Sequence, residues 1–300
     1  MKCTNPINLG ATKSRGVLTY KENGLIVPCG KCMQCRKQNA RQWALRLYHE
    51  KENYDDSIFL TLTYDDSHLP DNNSLVKRDL QLFYKRLRKR LSLDNRSIRY
   101  FSVGEYGDIS QRPHYHSIIF GLSLNYTDRN LVIEQWPYCD WNVESIRDNS
   151  FGVVTPASIQ YVTGYIFKKF SGIKEFEEYE ALNRKPVFRI MSQGIGRDYV
   201  DNNSDYITDL KHLTMHGKHI SLPRYYVKRL NLEMSDISEH AKEKERDDMH
   251  KLIGLYNTYD DLVDSLNFED RRSYDEKIKR VRRQHELNLE AAARIRSSKI

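Results

Sequence analysis

Hydrophobic and polar positions alternate along the segment Ser57–Tyr64. Ile58, Leu60 and Leu62 fall on one side of an extended chain, because side chains two residues apart share a face of a strand. The pattern predicts a β-strand with one buried face. Other segments of this kind are Arg99–Glu105, His114–Leu122 and Gly152–Val154.

A spacing of three to four residues between apolar positions predicts helices between these strands. The predicted helices are Arg36–Glu50, Ser74–Leu91, 126–136 and Thr155–Phe170. In the last one, Thr155 can cap the start, Pro156 suits the first helical position and Gly172 can end the helix. We therefore expect an α+β fold, with an antiparallel sheet of about five strands and flanking helices.

The order of these patterns predicts three regions. Residues 1–50 form a cysteine-containing segment and a helix, residues 51–235 the main α+β domain, and residues 236–300 a charged helical tail. The tail contains 14 Lys and Arg against 15 Asp and Glu. Most of the formal net charge of +7 therefore lies in the preceding part of the chain.

A basic body suggests a polyanionic partner such as DNA, since each phosphate contact releases condensed counterions. A basic surface that serves solubility alone is the alternative. No apolar run approaches the roughly 18 residues that a membrane helix needs, and the N-terminus has no apolar signal region. We expect a cytosolic protein without a membrane partner.

Two histidines, His114 and His116, are separated by one residue on a predicted strand, so their imidazoles point to the same face. Glu105 ends the preceding strand, and a hairpin would bring its carboxylate close to both. Two imidazoles and one carboxylate leave open positions on a divalent metal, which suits the polarisation of a phosphate. An ordinary core histidine pair is the alternative.

The predicted helix after Thr155 contains Tyr161, Tyr165 and Lys168 within roughly 60° of one another around its axis. A phenol that attacks phosphorus needs activation, and the leaving oxygen needs charge relief. A nearby metal and a lysine can supply both. The alternative is that the two tyrosines only pack against the sheet.

In this order, the strand FLTLTY, the His-Tyr-His strand and the tyrosine helix of the YxxK type resemble the three motifs of HUH replication initiators. The segments MKCTNPI, PCGKCMQCR, GEYG with RPHYH, and LPRYY are similar to the gokushovirus branch of the Microviridae. The resemblance extends from residue 1 to about residue 230. It implies a phage origin for the chain.

The resemblance also implies residue roles. His114, His116 and Glu105 would hold catalytic Mg²⁺ or Mn²⁺, Tyr165 would be the nucleophile and Tyr161 its alternating partner. Attack on one strand of an origin would leave a 5′-phosphotyrosine and a free 3′-OH for rolling-circle replication, followed by rejoining of the product strand. Lys168 matches the lysine of the motif, and Tyr115 between the histidines points away from the metal.

The implied partners are single-stranded and supercoiled double-stranded phage DNA in the cytoplasm of a bacterial host. No phosphate-binding loop of the GxxxxGK[ST] type occurs, so a host helicase would unwind the duplex, and a host polymerase would extend the 3′-OH. Two other interpretations stay open: a plasmid or mobile-element HUH nickase (relaxase or transposase), and a non-catalytic, zinc-containing nucleic-acid-binding protein.

Three cysteines, Cys29, Cys32 and Cys35, follow one another at three-residue spacing, and Cys3 lies upstream. Four thiolates can hold a structural Zn²⁺ tetrahedrally. This spacing is not that of a standard zinc finger, so reactive thiols and unliganded cysteines are also possible interpretations.

The predicted helix Ser74–Leu91 has a dense basic face that includes Arg86, Arg88 and Lys89. Such a face either contacts water alone or guides single-stranded DNA. In the second interpretation, Phe83 or Tyr84 would stack on bases.

Overall fold

The computed structural model describes residues 3–9, 11–14, 17–20, 26–165, 175–215 and 218–233, together with 283, 284 and 287. The chain divides into two compact units. The first comprises Met1–Asn39, Lys211–Ile220 and Val227–Ile300, and the second comprises Ala40–Leu210 and Ser221–Tyr226. The predicted tail, residues 236–300, lies outside the described residues apart from 283, 284 and 287.

The described residues contain eleven strands, some of them very short. They are β1 (Ile7–Asn8), β2 (Ala11–Ser14), β3 (Val17–Tyr20), β4 (Ile26–Val27), β5 (Ser57–Leu62), β6 (Arg99–Tyr106), β7 (Pro113–Phe120), β8 (Phe151–Val153), β9 (Phe188–Met191), β10 (Leu213–Met215) and β11 (Lys218–Ile220).

Eight α-helices occur in the same part of the chain. They are α1 (Met33–Lys51), α2 (Lys77–Ser92), α3 (Tyr126–Gln135), α4 (Glu144–Ser150), α5 (Pro156–Gly164), α6 (Arg197–Asn202), α7 (Ser204–Leu210) and α8 (Arg224–Arg229). A 3₁₀ turn at Asp71–Asn73 and a π-helical turn at Phe176–Glu180 complete the set. None of the described helices is long and apolar enough to cross a membrane.

The second unit is built on one five-stranded sheet in the order β8-β5-β7-β6-β9, with every neighbouring pair antiparallel. This confirms the predicted α+β class and the antiparallel sheet. In β5, every second side chain is buried, as the alternation of its sequence predicts.

Helices cover both faces of this sheet. On one face, α2 and α3 pack against alternate residues of β5 and β7, including Leu60, Tyr115 and Ile119. On the other face, α5 and the end of α1 pack against Phe101, Ile118 and other residues of β6 and β7. Besides the tyrosine helix, α1 therefore covers the face where the predicted site lies.

A tight turn joins β6 to β7. The Gly107 amide donates to the Arg112 carbonyl at 3.0 Å, and Gln111 has a positive φ of 53°. At the tip of the turn, the side chain of Ile109 is 98% exposed. The turn fixes the register of the two strands, which sets Glu105 directly opposite His114.

Candidate active site

His114 and His116 lie on β7, in the middle of the five-stranded sheet. His114 pairs with Glu105 of β6, and His116 pairs with Thr61 of β5 on its other side. Directly paired residues of an antiparallel sheet point to the same face. The fold thus brings the three predicted metal ligands together on the face that α5 covers.

His116 is held through both ring nitrogens. Its Nε2 lies 2.9 Å from Glu105 Oε1, and its Nδ1 lies 3.0 Å from Thr61 Oγ1. Both His116 and Glu105 are buried. Thr61 fixes the ring so that Nε2 faces the carboxylate.

His114 is oriented differently, by the backbone. Its Nδ1 donates to the Arg112 carbonyl at 2.7 Å, which leaves the Nε2 lone pair available to a ligand. Burial, and then the neighbouring His116, lower the pKa of His114, so the neutral ring is favoured. A Cβ atom at Gly107 would lie only 2.9 Å from His114 Cε1, so this glycine gives the ring its space.

The donor set of two imidazoles and a carboxylate fits a divalent cation, but the group is not drawn together to a common centre. Glu105 and His116 have the separation of two ligands of one ion. The His114 and His116 rings are parallel, with centroids 6.4 Å apart. Among the described residues, only four cysteines have all their ligand atoms within 4.8 Å of one another. His114 would have to move closer to join an ion on the other two.

The two tyrosines of the predicted helix both contact His116. The centroids of the Tyr161 and Tyr165 rings each lie 5.2 Å from that of His116, and 5.0 Å from each other. Tyr165 stacks nearly parallel to the imidazole, at 7°. Thr155 caps α5 with a reciprocal bond to Ser158, as the sequence predicts, and this fixes where the helix starts. Lys168, Gly172 and residues 166–170 lie outside the described residues.

The two phenols differ in exposure and surroundings. Tyr161 is 39% exposed and Tyr165 is 7% exposed. Tyr165 hydrogen-bonds to Glu105 and to Tyr161. Burial, followed by the charge of Glu105, raises the pKa of Tyr165 well above its usual range. The Tyr165 hydroxyl is therefore protonated near neutral pH in this arrangement.

Tyr115, between the two histidines, points to the opposite face of the sheet, as predicted. It is fully buried, its hydroxyl lies 3.0 Å from that of Tyr64, and it accepts from the Val76 amide at 2.8 Å. These bonds tie β7 to the start of α2. A bulky residue at this position therefore stabilises the fold and does not obstruct the histidines.

The basic helix α2 matches its predicted extent, but the stacking prediction for its aromatic residues is wrong. Phe83 and Tyr84 are buried in the core, where Tyr84 bonds to Ser102 and stacks on Tyr100, so neither can reach a base. Three basic side chains lie on other sides of the helix. Arg86 donates to the Gln135 carbonyl, Arg88 donates to Ser192 and stacks over Tyr100, and Lys89 is exposed.

The sequence did not single out two residues that the structure brings to this region. One is Thr61. The other is Arg189 of β9, which pairs with Val103 of β6, itself paired with His116, so all three side chains share a face. Arg189 is exposed, and its guanidinium lies 5.2 Å from the Trp43 ring centre. Only the sheet register reveals this row.

In the first unit, Cys3, Cys29, Cys32 and Cys35 come together with their sulfur atoms within 4.8 Å of one another. Burial raises the pKa of Cys32, but hydrogen bonds from Thr4 and from the Cys35 backbone outweigh that effect and lower it to about 6. The four cysteines could hold a metal ion.

Comparison with known proteins identifies the family. A family model for the replication-associated protein ORF2 matches residues 57–170, which run from β5 to beyond α5. The Replication-associated protein VP4 of Bdellovibrio phage phiMH2K is 32% identical over 246 residues, 75% of this chain and 76% of that protein.

Two further relatives agree. The Replication-associated protein ORF2 of Spiroplasma virus 4 is 33% identical over 236 residues, 73% of this chain and 72% of that protein. The Replication-associated protein ORF4 of Chlamydia phage 1 is 27% identical and covers 76% of this chain and 59% of that protein. No solved structure matches. The chain belongs to the replication-associated proteins of the Microviridae, a family of phages.

Proposed function

We propose that this chain is a replication initiator endonuclease that nicks one strand at a phage origin through a tyrosine nucleophile. The nick leaves a 5′-phosphotyrosine and a free 3′-OH, and a later rejoining step releases the product strand. The convergence of two phenols and one carboxylate on His116 carries this proposal. A core histidine pair would need neither a carboxylate partner nor an exposed tyrosine.

Three residues of the sheet would hold a divalent cation, Mg²⁺ or Mn²⁺: His114, His116 and Glu105. When bound, the cation would supply positive charge that polarises the scissile phosphate and offsets the charge of Glu105. The Thr61 hydroxyl and the Arg112 carbonyl orient the two imidazoles for this role.

The Tyr165 oxygen is the proposed first nucleophile, because its hydroxyl already contacts Glu105. It forms a bond to phosphorus, while the bond from phosphorus to the 3′ oxygen breaks. The phenol proton leaves through the carboxylate, and the departing 3′ oxygen takes up a proton as it becomes a hydroxyl. Lys168 is proposed to stabilise charge on the leaving oxygen.

Tyr161 is the proposed second nucleophile. Its ring lies as close to His116 as that of Tyr165, and it is the more exposed of the two. After one round of synthesis it would cut the regenerated origin, and the first phosphotyrosine would be resolved by attack of the new 3′-OH. This exchange joins the ends without an external energy source.

Basic side chains on two elements are proposed to contact the DNA backbone. The first set is Arg86, Arg88 and Lys89 on α2. The second is Arg189, which shares the sheet face of His116 and stands two strands away, roughly 10 Å, so it can reach a phosphate next to the scissile one.

The proposed setting is the cytoplasm of the bacterial host. The substrates there would be single-stranded and supercoiled double-stranded phage DNA. A host helicase would open the duplex and a host polymerase would extend the free 3′-OH. The resemblance of the tyrosine helix to the two-tyrosine initiators supports this cycle.

A covalent adduct tests the proposal. The protein is incubated with a 5′- or 3′-labelled single-stranded origin oligonucleotide and Mn²⁺, and the products are run on a denaturing gel. We expect label from the downstream strand to migrate with the protein. The variant with both Tyr161→Phe and Tyr165→Phe should form no adduct. As a matched control, Tyr126→Phe, an exposed tyrosine of α3, should behave as the wild type.

One observation favours a second candidate, a non-catalytic zinc-containing nucleic-acid-binding protein. The four cysteines meet metal-ligand spacing in the described structure, whereas the histidine group does not. Binding of the oligonucleotide with no adduct at any Mn²⁺ concentration would support this candidate and reject the endonuclease. An adduct that forms only on plasmid origins would indicate a mobile-element nickase.

A further inference from the structure

The four-cysteine group of the first unit lies outside the nicking chemistry. The sulfur atoms of Cys3 and Cys32 are 3.8 Å apart. A tetrahedral zinc site with bonds of about 2.3 Å has sulfur atoms separated by about 3.8 Å. A disulfide would need about 2.05 Å, and all four thiols are free. The spacing therefore fits one ion shared by four sulfurs.

The backbone around the cysteines is arranged as it is at thiolate ligands. The Cys32 amide donates to Cys29 Sγ at 3.3 Å, and the Cys29 amide donates to Cys3 Sγ at 3.2 Å. Gly30 has a φ of +73°, which lets the chain turn between Cys29 and Cys32. Cys35 follows on the first turn of α1, three residues after Cys32, so both point to one side.

The local charges also suit the site. Zinc with four thiolates carries a net charge of about −2. The positive end of α1 starts at Met33, and its first turn has no acidic residue. Lys31, Arg36 and Lys37 follow closely in the sequence and add positive charge.

The elements between Cys3 and Cys29 offer little stability of their own. The β1–β4 ladder has only two residue pairs, and isolated short ladders are marginal in water. Ile7 and Leu9 are 48% and 62% exposed, so this segment buries little apolar surface. A covalent or metal link is the usual way to hold such a segment.

We propose that Cys3, Cys29, Cys32 and Cys35 bind one structural zinc ion, which joins the N-terminal segment to the start of α1. The ion closes a loop of 26 residues between Cys3 and Cys29. This site is separate from the proposed Mg²⁺ or Mn²⁺ site and serves folding rather than catalysis.

Metal content of the full chain tests the proposal. Protein purified under reducing conditions, without chelator, should carry about one zinc per chain by elemental analysis. Cys29→Ser and Cys35→Ser should each lose it. Cys139→Ser should keep it, because Cys139 lies beside Thr63 in the second unit. A wild-type protein without metal, with iron in place of zinc, or with zinc that survives in both cysteine variants would overturn the assignment.

Cobalt substitution guards against variants that fail to fold. Replacing the ion by Co²⁺ in the wild type should give the intense sulfur-to-cobalt absorption of a tetrathiolate site, and its absence would also overturn the proposal. His116→Ala separates the two proposals. This variant should keep its zinc and lose nicking, so zinc without nicking in the wild type would reject only the endonuclease, and nicking without zinc only this site.

Discussion

Replacing Thr61 by valine removes one hydroxyl and keeps the shape of the side chain. In the structure, that hydroxyl lies 3.0 Å from His116 Nδ1, in the strand pair where the two residues stand directly opposite each other. The valine leaves Nδ1 without this partner in a ring that is 7% exposed. The ring then loses the contact that turns Nε2 towards Glu105.

Two independent arguments give the size of the effect. Loss of an outer partner of a metal-binding histidine typically costs 10- to 100-fold in metal affinity. This corresponds to about 1.4 to 2.7 kcal/mol, at roughly 1.4 kcal/mol per tenfold change. Leaving one buried hydrogen-bonding group unpaired costs about 1 to 3 kcal/mol. We therefore expect Thr61→Val to weaken Mn²⁺ binding by roughly 10- to 100-fold.

The assay is a calorimetric or spin-resonance Mn²⁺ titration of the protein without DNA, alongside a nicking assay at several Mn²⁺ concentrations. Excess Mn²⁺ should restore nicking by the variant. Thr63→Val is the matched control, since Thr63 lies two residues further along the chain and contacts Cys139 instead. Thermal unfolding shows that both variants are folded. If Thr61→Val binds Mn²⁺ as tightly as the wild type, the proposed role of Thr61 is refuted.

Three further predictions follow from other contacts. Gly107→Ala should weaken Mn²⁺ binding, because its Cβ would lie 2.9 Å from His114 Cε1, whereas Gly164→Ala, with no atom within 4 Å of its Cβ, should not. Arg189→Gln should lower affinity for single-stranded DNA and reduce the log–log salt slope by about one, and an unchanged slope would contradict the proposed contact. His49, whose pKa burial lowers to about 4, favours its neutral form when folded. The unfolded chain therefore binds a proton first, and up to about 3 kcal/mol of unfolding free energy should be lost as pH falls from about 6.5 to about 4. In urea titrations His49→Gln should abolish this part of the loss, and an undiminished loss would contradict it.

The sequence predicted those features that depend on local pattern. The alternation in Ser57–Tyr64 and the spacing of His114 and His116 fixed which side chains share a face, and strands follow that period closely. Thr155 and Pro156 located the start of the tyrosine helix, because capping is a property of neighbouring residues. Glu105 was found because a short turn connects its strand to that of the histidines.

Features that depend on contacts between distant segments were out of reach. The bond between Thr61 and His116 requires the pairing of two strands 55 residues apart. Phe83 and Tyr84 were assigned to the DNA face, but an amphipathic helix places its aromatic side chains in the core whenever that core needs volume. The approach of Cys3 to the later cysteines depends on the path of the chain between them, which spacing alone does not give.

The hairpin of β6 and β7 determines where the length of this chain can vary. A single residue inserted in either strand would turn every side chain beyond it to the opposite face, and the histidines or Glu105 would then point into the α2 core. An insertion at Ile109 would leave both strands in register, because that residue lies outside them and is fully solvated. Relatives should therefore differ in turn length and hardly at all in strand length. The same turn is the place to attach a fluorophore or an affinity peptide near the catalytic face.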